Sequence, residues 1–154
     1  LDFFLVYFTP GTGDAQLSLC QIVPLDGGVI VTTPQEVSLG VVRKAIAMIE
    51  KVNVPIIGIV ENMSYFTPAE LPDHKYYIFG KEGGKRLAEE YELPFLGQIP
   101  LVQSIREGGD IGVPIMMGDD EITKEAFKEF AGVVARSVSM RNARMDAEEV
   151  AEIV

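Results

Sequence analysis

The stretch "GGVIVTTPQEVSLGVVRKAIAMIEKVNVPIIGIVEN", from Gly27 to Asn62, contains one strand–helix–strand pattern. Its two apolar runs, Gly28 to Thr32 and Pro55 to Val60, are short, continuous and rich in Val and Ile. Runs of this kind are typical of parallel strands covered on both faces. The stretch therefore predicts a βαβ unit.

The middle of the stretch predicts an amphipathic helix. We expect its apolar face to consist of Val37, Val41, Ala45, Met48 and Ile49. A start signal precedes it, because Thr33 can cap the helix and Pro34 suits the first helical position. Glu36, three residues after Thr33, would complete a capping box.

Similar patterns extend the unit in both directions. Apolar runs at Phe3 to Phe8 and Phe95 to Ile99 predict two further buried strands. "GGKRLAEEYEL" predicts a short helix with Leu87 and Tyr91 on one face. An amphipathic pattern from Asp119 to about Val138 predicts a final helix, which the tail either extends or follows as a separate helix. Alternating strands and helices predict a doubly wound α/β domain.

The composition and net charge of the chain limit the kinds of partner that we expect it to bind. The chain has 154 residues, is 47% hydrophobic and carries a formal net charge of −10, which disfavours nucleic acid and anionic membranes as partners. The single cysteine, Cys20, excludes an intrachain disulfide and favours a cytoplasmic location. The chain has no initiator Met and begins in a strand-like run, so we expect it to be the later part of a longer protein.

Two glycine-rich segments are candidates for phosphate binding. "PGTGD" follows an apolar run but matches neither fingerprint, since Gln16 stands where a Rossmann motif needs Gly and no Lys-Ser/Thr pair follows. "GKEGGKR" is one residue short of a P-loop, and Arg86 replaces the hydroxyl residue. A structural turn is the favoured interpretation of each.

Polar residues at the predicted strand ends are the other candidates. Asp14, Glu36 and Glu61 are carboxylates that could bind magnesium or transfer protons. Asn62 directly follows a strand, where its amide either reads a base edge or forms a turn. With Cys20 the only cysteine and His74 the only histidine, no metal site is predicted. These residues alone do not define a reaction.

Five segments taken in order resemble one family. "PGTGDAQLSL", "GGVIVTTPQEVSL", "VPIIGIVENMSYF", "YYIFGKEGGKRLAEE" and "PFLGQIPLVQSIREGGDIGVPI" are similar to the C-terminal half of Mrp proteins, P-loop ATPases of the MinD/ParA superfamily linked to iron–sulfur cluster carriage. The resemblance covers Leu1 to Ile115. It implies a mostly parallel P-loop NTPase-like sheet whose Walker A half is absent from this chain. Residues 1–138 would be the C-terminal portion of that domain, and 139–154 a helical tail.

The resemblance also implies site residues. The loop facing the γ-phosphate and the attacking water would be catalytic, with Gly11, Thr12, Gly13 and Asp14. Asn62 would read adenine, and the segment from Pro100 to Arg106 would close over the base. Thr33 and Pro34 would lie near the nucleotide.

Two departures from the family pattern bear on function. Tyr7 stands where the family has an Asp that supports magnesium, and a phenol cannot replace that carboxylate. The segment "TPAELPDHKYY" lacks the C-x-x-C pair that would bridge a cluster between subunits. ATP and Mg²⁺ are therefore expected in the full-length family, while an iron–sulfur cluster is doubtful here.

The resulting hypothesis is an ATP-binding and ATP-hydrolysing homodimer that serves iron–sulfur client proteins, with this chain alone catalytically incompetent. The alternative is a non-catalytic dimerisation or interaction module that keeps a degraded nucleotide site. A third possibility is an unrelated small α/β enzyme that uses Asp14 and Glu61.

Overall fold

A parallel β-sheet lies at the centre of the computed structural model, which describes residues 2–8, 14–68, 70–71 and 73–152. Three strands and five α-helices are present in this part of the chain, with a 3-10 turn at Ile115–Met117. In chain order the elements are α1 (Asp14–Ile22), β1 (Gly28–Thr32), α2 (Glu36–Lys51), β2 (Ile56–Glu61), α3 (Gly83–Glu90), β3 (Phe95–Gln98), α4 (Gln103–Ile111) and α5 (Glu121–Glu152).

The strands lie in the order β1-β2-β3, and both pairs are parallel. Thr32 on β1 is opposite Glu61 on β2, and Glu61 is opposite Gln98 on β3. The carboxyl ends of the three strands are therefore aligned at one edge. The predicted strands over residues 28–32, 55–60 and 95–99 are confirmed.

Helices cover both faces of this sheet. Ile59 and Val60 are successive residues of β2 and point to opposite faces. Ile59 belongs to a core cluster with α2 and α3, whose buried members are Ile30, Leu39, Val42, Ile46, Ile59, Leu87 and Ala88. Val60 belongs to a second cluster, where Leu96 and Ile99 meet Phe127, Phe130, Val133 and Val134 of α5. This is the doubly wound α/β arrangement expected from the sequence.

The predicted strand at Phe3 to Phe8 is wrong. Residues 2–8 have no regular secondary structure and pair with no strand among the described residues. Phe4 is 77% exposed and Leu5 86%. An apolar run forms a strand only where a neighbouring strand accepts its hydrogen bonds, and the sequence pattern does not report the neighbour.

The predicted apolar face of α2 is correct only in part, because Ala45, Met48 and Ile49 are half-buried while the most buried stripe is a different one. Its buried residues are Leu39, Val42 and Ile46, whereas Val37 is 83% exposed and Val41 46%. Both stripes have helical spacing, so periodicity alone could not choose between them.

The predicted capping box is not formed. The helix begins at Glu36 with Gln35 as its cap residue, and the Gln35 side chain makes no capping hydrogen bond. The Thr33 hydroxyl instead donates a 2.7 Å hydrogen bond to Ser38, while Glu36 pairs with Arg86 of α3 at 3.2 Å. The Thr33 hydroxyl and the Glu36 carboxylate thus bond to other side chains, and not to each other's backbone N–H groups as in a capping box.

Two other helix predictions were more successful. Leu87 is buried and Tyr91 packs against the same cluster, as expected for α3. The final helix runs on through residue 152, so the tail extends it. The division of the chain at residue 138 stays a prediction. No helix among the described residues is long and apolar enough to cross a membrane.

Candidate functional site

Backbone hydrogen bonds hold the three strand ends together just beyond the sheet. The Asn62 N–H donates to the Thr32 carbonyl at 2.7 Å, and the Ile99 N–H donates to the Glu61 carbonyl at 2.8 Å. The loops that follow β1, β2 and β3 thus start side by side. In open α/β sheets this edge is where ligands bind.

The loops after β2 and β3 are joined further out. The Ser64 N–H donates to the Ile99 carbonyl at 3.0 Å, and the Leu101 N–H donates to the Tyr65 carbonyl at 2.8 Å. Pro100 lies buried between these two bonds. The structure therefore brings the predicted residues Asn62 and Pro100 into adjoining loops.

Glu61 is a fully buried carboxylate at this edge, with a relative exposure of 0%. Its Oε2 accepts a 2.6 Å hydrogen bond from the Gly84 N–H of α3. Its Oε1 accepts hydrogen bonds from the Ser64 hydroxyl and, at 3.0 Å, from the Gln98 amide. Gly84 is in the first turn of α3, where the unpaired N–H groups favour a negative charge. Hydrogen bonding therefore satisfies the buried carboxylate.

Two glycines allow α3 to approach the strand ends. A Cβ at Gly84 would lie 3.1 Å from the Glu61 Cβ and 3.2 Å from the Thr32 Cγ2. A Cβ at Gly83 would lie 2.9 Å from the Pro34 Cα, which leaves no room for it. The "GKEGGKR" segment is thus a packing motif. Its Arg86 donates to the Lys81 carbonyl at 2.5 Å.

The Asn62 side chain lies half-buried at this edge. Its Oδ1 accepts a 2.9 Å hydrogen bond from the Met63 N–H, and Met63 has a left-handed backbone with φ 53°. Among the described residues no acceptor is hydrogen-bonded to the Asn62 Nδ2 group. An amide oxygen has two lone pairs, so with respect to these residues the carboxamide keeps one acceptor position and two donors free.

The other predicted binding residues, Thr33, Pro34 and Arg106, do not all lie close to Asn62. Thr33 is half-buried, and Pro34 is buried against Gly83 beside the end of β1. Arg106 is exposed on α4, where its guanidinium pairs with Asp110 at 2.7 Å and Glu107 at 3.0 Å. Within the described residues its guanidinium makes no hydrogen bond to the loop that carries Asn62.

The predicted catalytic residues cannot be placed in the same way. Gly11, Thr12 and Gly13 lie outside the described residues. Asp14 is the first residue of α1, and its role stays a prediction. Tyr7 is 87% exposed.

Asp120 fixes α4, the helix that follows Pro100, to the start of α5. Its carboxylate accepts hydrogen bonds from the Ser104 hydroxyl at 2.6 Å, the Thr123 N–H at 3.0 Å and the Thr123 hydroxyl at 2.7 Å. Chiefly the Ser104 bond, and then the Thr123 N–H, hold the pKa of Asp120 below its ordinary value. The charged form of Asp120 therefore contributes to stability.

The described part of the chain has two shallow cavities and no cluster of metal ligands. No group of three or more His, Cys, Asp or Glu side chains converges among the described residues. A shallow cavity of about 400 Å³ lies between α1 and α2, lined by Leu17, Lys44, Ala47, Met48 and Lys51. A second, of about 350 Å³, lies beside α4 and the 3-10 turn. Both cavities lie away from Glu61 and Asn62.

Sequence reasoning named Glu61, as a magnesium-binding or proton-transferring carboxylate, and Asn62 as candidates, but did not name Ser64 and Gln98. Both are polar residues at the strand ends, and Ser64 is completely buried. The signal was available in principle, because parallel strands that end together place Gln98 next to Glu61. Recognising it required the register of β2 and β3, which the sequence does not state.

A doubly wound parallel sheet with these strand-end loops defines a P-loop NTPase-like α/β domain. The nucleotide-binding protein of Archaeoglobus fulgidus, solved in complex with ADP, has this fold. It is 37% identical with a TM-score of 0.60, over 73% of this chain and 47% of that protein.

The family can be stated more closely. Residues 1–136 match the ParA family model described as NUBPL iron-transfer P-loop NTPase, and the chain belongs to this family. An iron–sulfur cluster carrier protein of Synechocystis is 49% identical over 91% of this chain and 40% of its own length. The iron–sulfur cluster transfer protein NUBPL of Mus musculus is 44% identical over 88% of this chain and 43% of its own length. The chain thus spans about two fifths of these curated relatives.

Proposed function

We propose that this chain is the base-binding portion of a nucleotide-dependent iron–sulfur cluster carrier. Two findings support the proposal. The curated relatives carry the names of cluster carrier or transfer proteins, and the Archaeoglobus fulgidus neighbour was solved with ADP. The whole protein would bind ATP with Mg²⁺ as a homodimer and deliver a cluster to client proteins in the cytoplasm.

The geometry of Asn62 carries the base-binding role. Adenine presents a donor at its N6 amino group and an acceptor at N7, and a carboxamide can pair with both. Among the described residues Asn62 keeps the complementary pair, because its Nδ2 is a free donor and its Oδ1 accepts only the Met63 N–H. That hydrogen bond also holds the carboxamide in one orientation, so little entropy is lost on pairing. Pro100, in the adjoining loop, would cover the base.

The phosphate side of the site belongs to Gly11, Thr12, Gly13 and Asp14 in this proposal. Backbone N–H groups of such a loop suit phosphate oxygens. Thr33 and Pro34 would border the nucleotide, and Arg106 would lie further along the covering segment. ATP, when bound with Mg²⁺, supplies the group whose transfer drives the cycle. We propose that this chain alone does not hydrolyse ATP, because it has no Walker A lysine and Tyr7 replaces an acidic ligand.

An iron–sulfur cluster is the cargo in this scheme, and the donor set of this chain does not fit it. Clusters are held mainly by cysteine thiolates, and Cys20 is the single cysteine. Residues 67–77 contain no cysteine. Coordination of the cargo is therefore not assigned to this segment.

Nucleotide titration of the chain tests the base-binding role. We expect adenine-ring contacts to give ADP tighter binding than GDP, with weak affinity for both, measured from NMR amide shifts. Asn62→Asp retains the oxygen that accepts the Met63 N–H but removes the donor. This substitution should abolish the preference for ADP over GDP. The ratio of the GDP and ADP dissociation constants should change by about tenfold.

Gln21→Glu is the matched control, because it makes the same amide-to-acid change at an exposed position of α1. It should leave the ratio unchanged. Equal affinity of the unmodified chain for ADP and GDP would refute the proposal.

A second experiment addresses hydrolysis. Magnesium-dependent ATP turnover by this chain should equal that of a buffer control. A fusion that places the amino-terminal part of the Synechocystis relative before Leu1 should bind ATP, and Tyr7→Asp in that fusion should raise its turnover whereas Tyr7→Phe should not. Robust turnover by the unmodified chain would contradict the expectation.

A further inference from the structure

The buried carboxylate of Glu61 has no direct part in the proposed base binding. Its neighbour Asn62 is the residue that would read the base. We propose that Glu61 is a positioning residue, whose carboxylate sets the orientation of Asn62 and hence the preference for adenine. This inference rests on the proposed function.

Glu61 holds the loop that carries Asn62 from both sides. It precedes Asn62 in the chain, and its Oε1 accepts the hydroxyl of Ser64, two residues after Asn62. The side-chain bond therefore closes the turn from residue 61 to residue 64 around Asn62. Ser64 is fully buried and its N–H donates to the Ile99 carbonyl, so this end of the turn is fixed to the β3 side.

The same carboxylate connects this turn to two other elements. The Gly84 N–H of α3 donates to Oε2 at 2.6 Å, and the Gln98 amide of β3 donates to Oε1 at 3.0 Å. A Cβ at Gly84 would lie 3.3 Å from Oε2, so glycine permits the close approach. The turn is consequently held against α3 and β3 by one side chain.

The three partners of Glu61 are arranged in a way that suits an ionised carboxylate. All three neighbours donate, and an ionised carboxylate is an acceptor with about four lone-pair sites. Among the described residues no lysine or arginine pairs with Glu61, so these donors and the amino-terminal end of α3 compensate its burial. A glutamine at this position would direct an NH₂ group at either the Gly84 N–H or the Ser64 and Gln98 donors.

Glu61→Gln is the direct test, read as the ratio of ADP to GDP dissociation constants by the same NMR titration. The adenine preference should fall about tenfold, toward that of Asn62→Asp, because the single amide oxygen can accept only from the Gly84 N–H, so the Ser64 hydroxyl and the Gln98 amide must turn to accept from the new NH₂ group. Glu89→Gln, on the exposed side of α3, should not change it. A purely structural role would lower the thermal midpoint of Glu61→Gln and leave the preference at its original value.

Rescue distinguishes positioning from general damage. In the double variant Glu61→Gln/Gln98→Glu the amide and the carboxylate exchange places. The amide oxygen now on β2 can accept from the Gly84 N–H, and its NH₂ group can donate to the carboxylate now on β3 and to the Ser64 hydroxyl oxygen. This double variant should recover most of the adenine preference. No recovery would overturn the proposal.

Ser64→Ala covers the case in which Glu61→Gln does not fold. It removes only the bond that closes the turn and should reduce the preference by about threefold. An unchanged preference in Ser64→Ala, or in folded Glu61→Gln, overturns the inference while leaving the proposed function intact. The proposed function fails separately, when the unmodified chain itself does not prefer ADP.

Discussion

Apolar runs predict buried strands both in the region around Glu61 and near the amino terminus, in residues 2–8. The structure has hydrogen-bonded strands in the first region and no strand in the second. Around Glu61 every strand has a hydrogen-bonded neighbour, and the Glu61 carboxylate is paired. Residues 2–8 pair with no strand in the described part of the chain, and Leu5 is 86% exposed. Apolar sequence is therefore a requirement for a buried strand but does not specify one, because burial depends on what lies alongside.

The largest effect expected from this contrast is on core packing. Leu87→Ala should lower the free energy of unfolding by about 2–5 kcal/mol, because it opens a cavity at a residue that is only 1% exposed. Leu5→Ala removes the same atoms from an exposed position and should change it by less than about 0.5 kcal/mol. Urea denaturation of both variants measures the difference, and similar losses would show that residues 2–8 are packed in solution.

The next effect concerns the glycine contact at the strand ends. Gly84→Ala should destabilise the chain by about 1–3 kcal/mol, since its Cβ would press on Glu61 and Thr32. Gly109→Ala is the control in α4, where a Cβ would have no described neighbour within 4 Å. It should stabilise the helix by about 0.5–1 kcal/mol. If both substitutions shift the midpoint of thermal unfolding in the same direction, the effect of Gly84→Ala on stability does not come from the close packing of α3 against the strand ends.

A smaller, pH-dependent effect is expected at Asp120. Its pKa is lowered in the folded protein, so its contribution is present above the ordinary pKa of about 3.9 and is lost as the pH falls through the lowered folded value. Asp120→Ala should cost about 1–2 kcal/mol at neutral pH and show a flatter loss of stability below about pH 4. Exposed Asp119→Ala is the control, and parallel pH curves for Asp120→Ala and the unmodified chain would contradict the assignment.

Much of this architecture was predictable because it depends on local chemistry. The strand over residues 28–32 and the long helix that follows are specified by side-chain size and periodicity within a few turns. The candidate site was predictable to the extent that parallel strands bring their carboxyl ends together. Asn62 and Pro100 are found in adjoining loops for that reason.

Other features were not accessible to the same reasoning. The apolar stripe of α2 that contains Leu39 is buried because β1 and α3 lie on that side, whereas Val37 is equally apolar but points away from this cluster. Thr33 failed as a cap because the Ser38 hydroxyl offered it a hydrogen bond. In each case a side-chain contact that the sequence pattern does not report decided between two locally acceptable structures.

By itself the sequence determined the alternating α/β pattern, the strand-end position of Asn62, the absence of a cysteine pair and the family resemblance, since each is a property of residue identity and spacing. Tertiary structure alone decided that Glu61 is buried, that Ser64, Gly84 and Gln98 donate to it, and that Phe3, Phe4, Leu5 and Tyr7 are exposed. Those properties depend on which distant segments are brought into contact, and hydrogen bonding and burial are energies of contact rather than of composition.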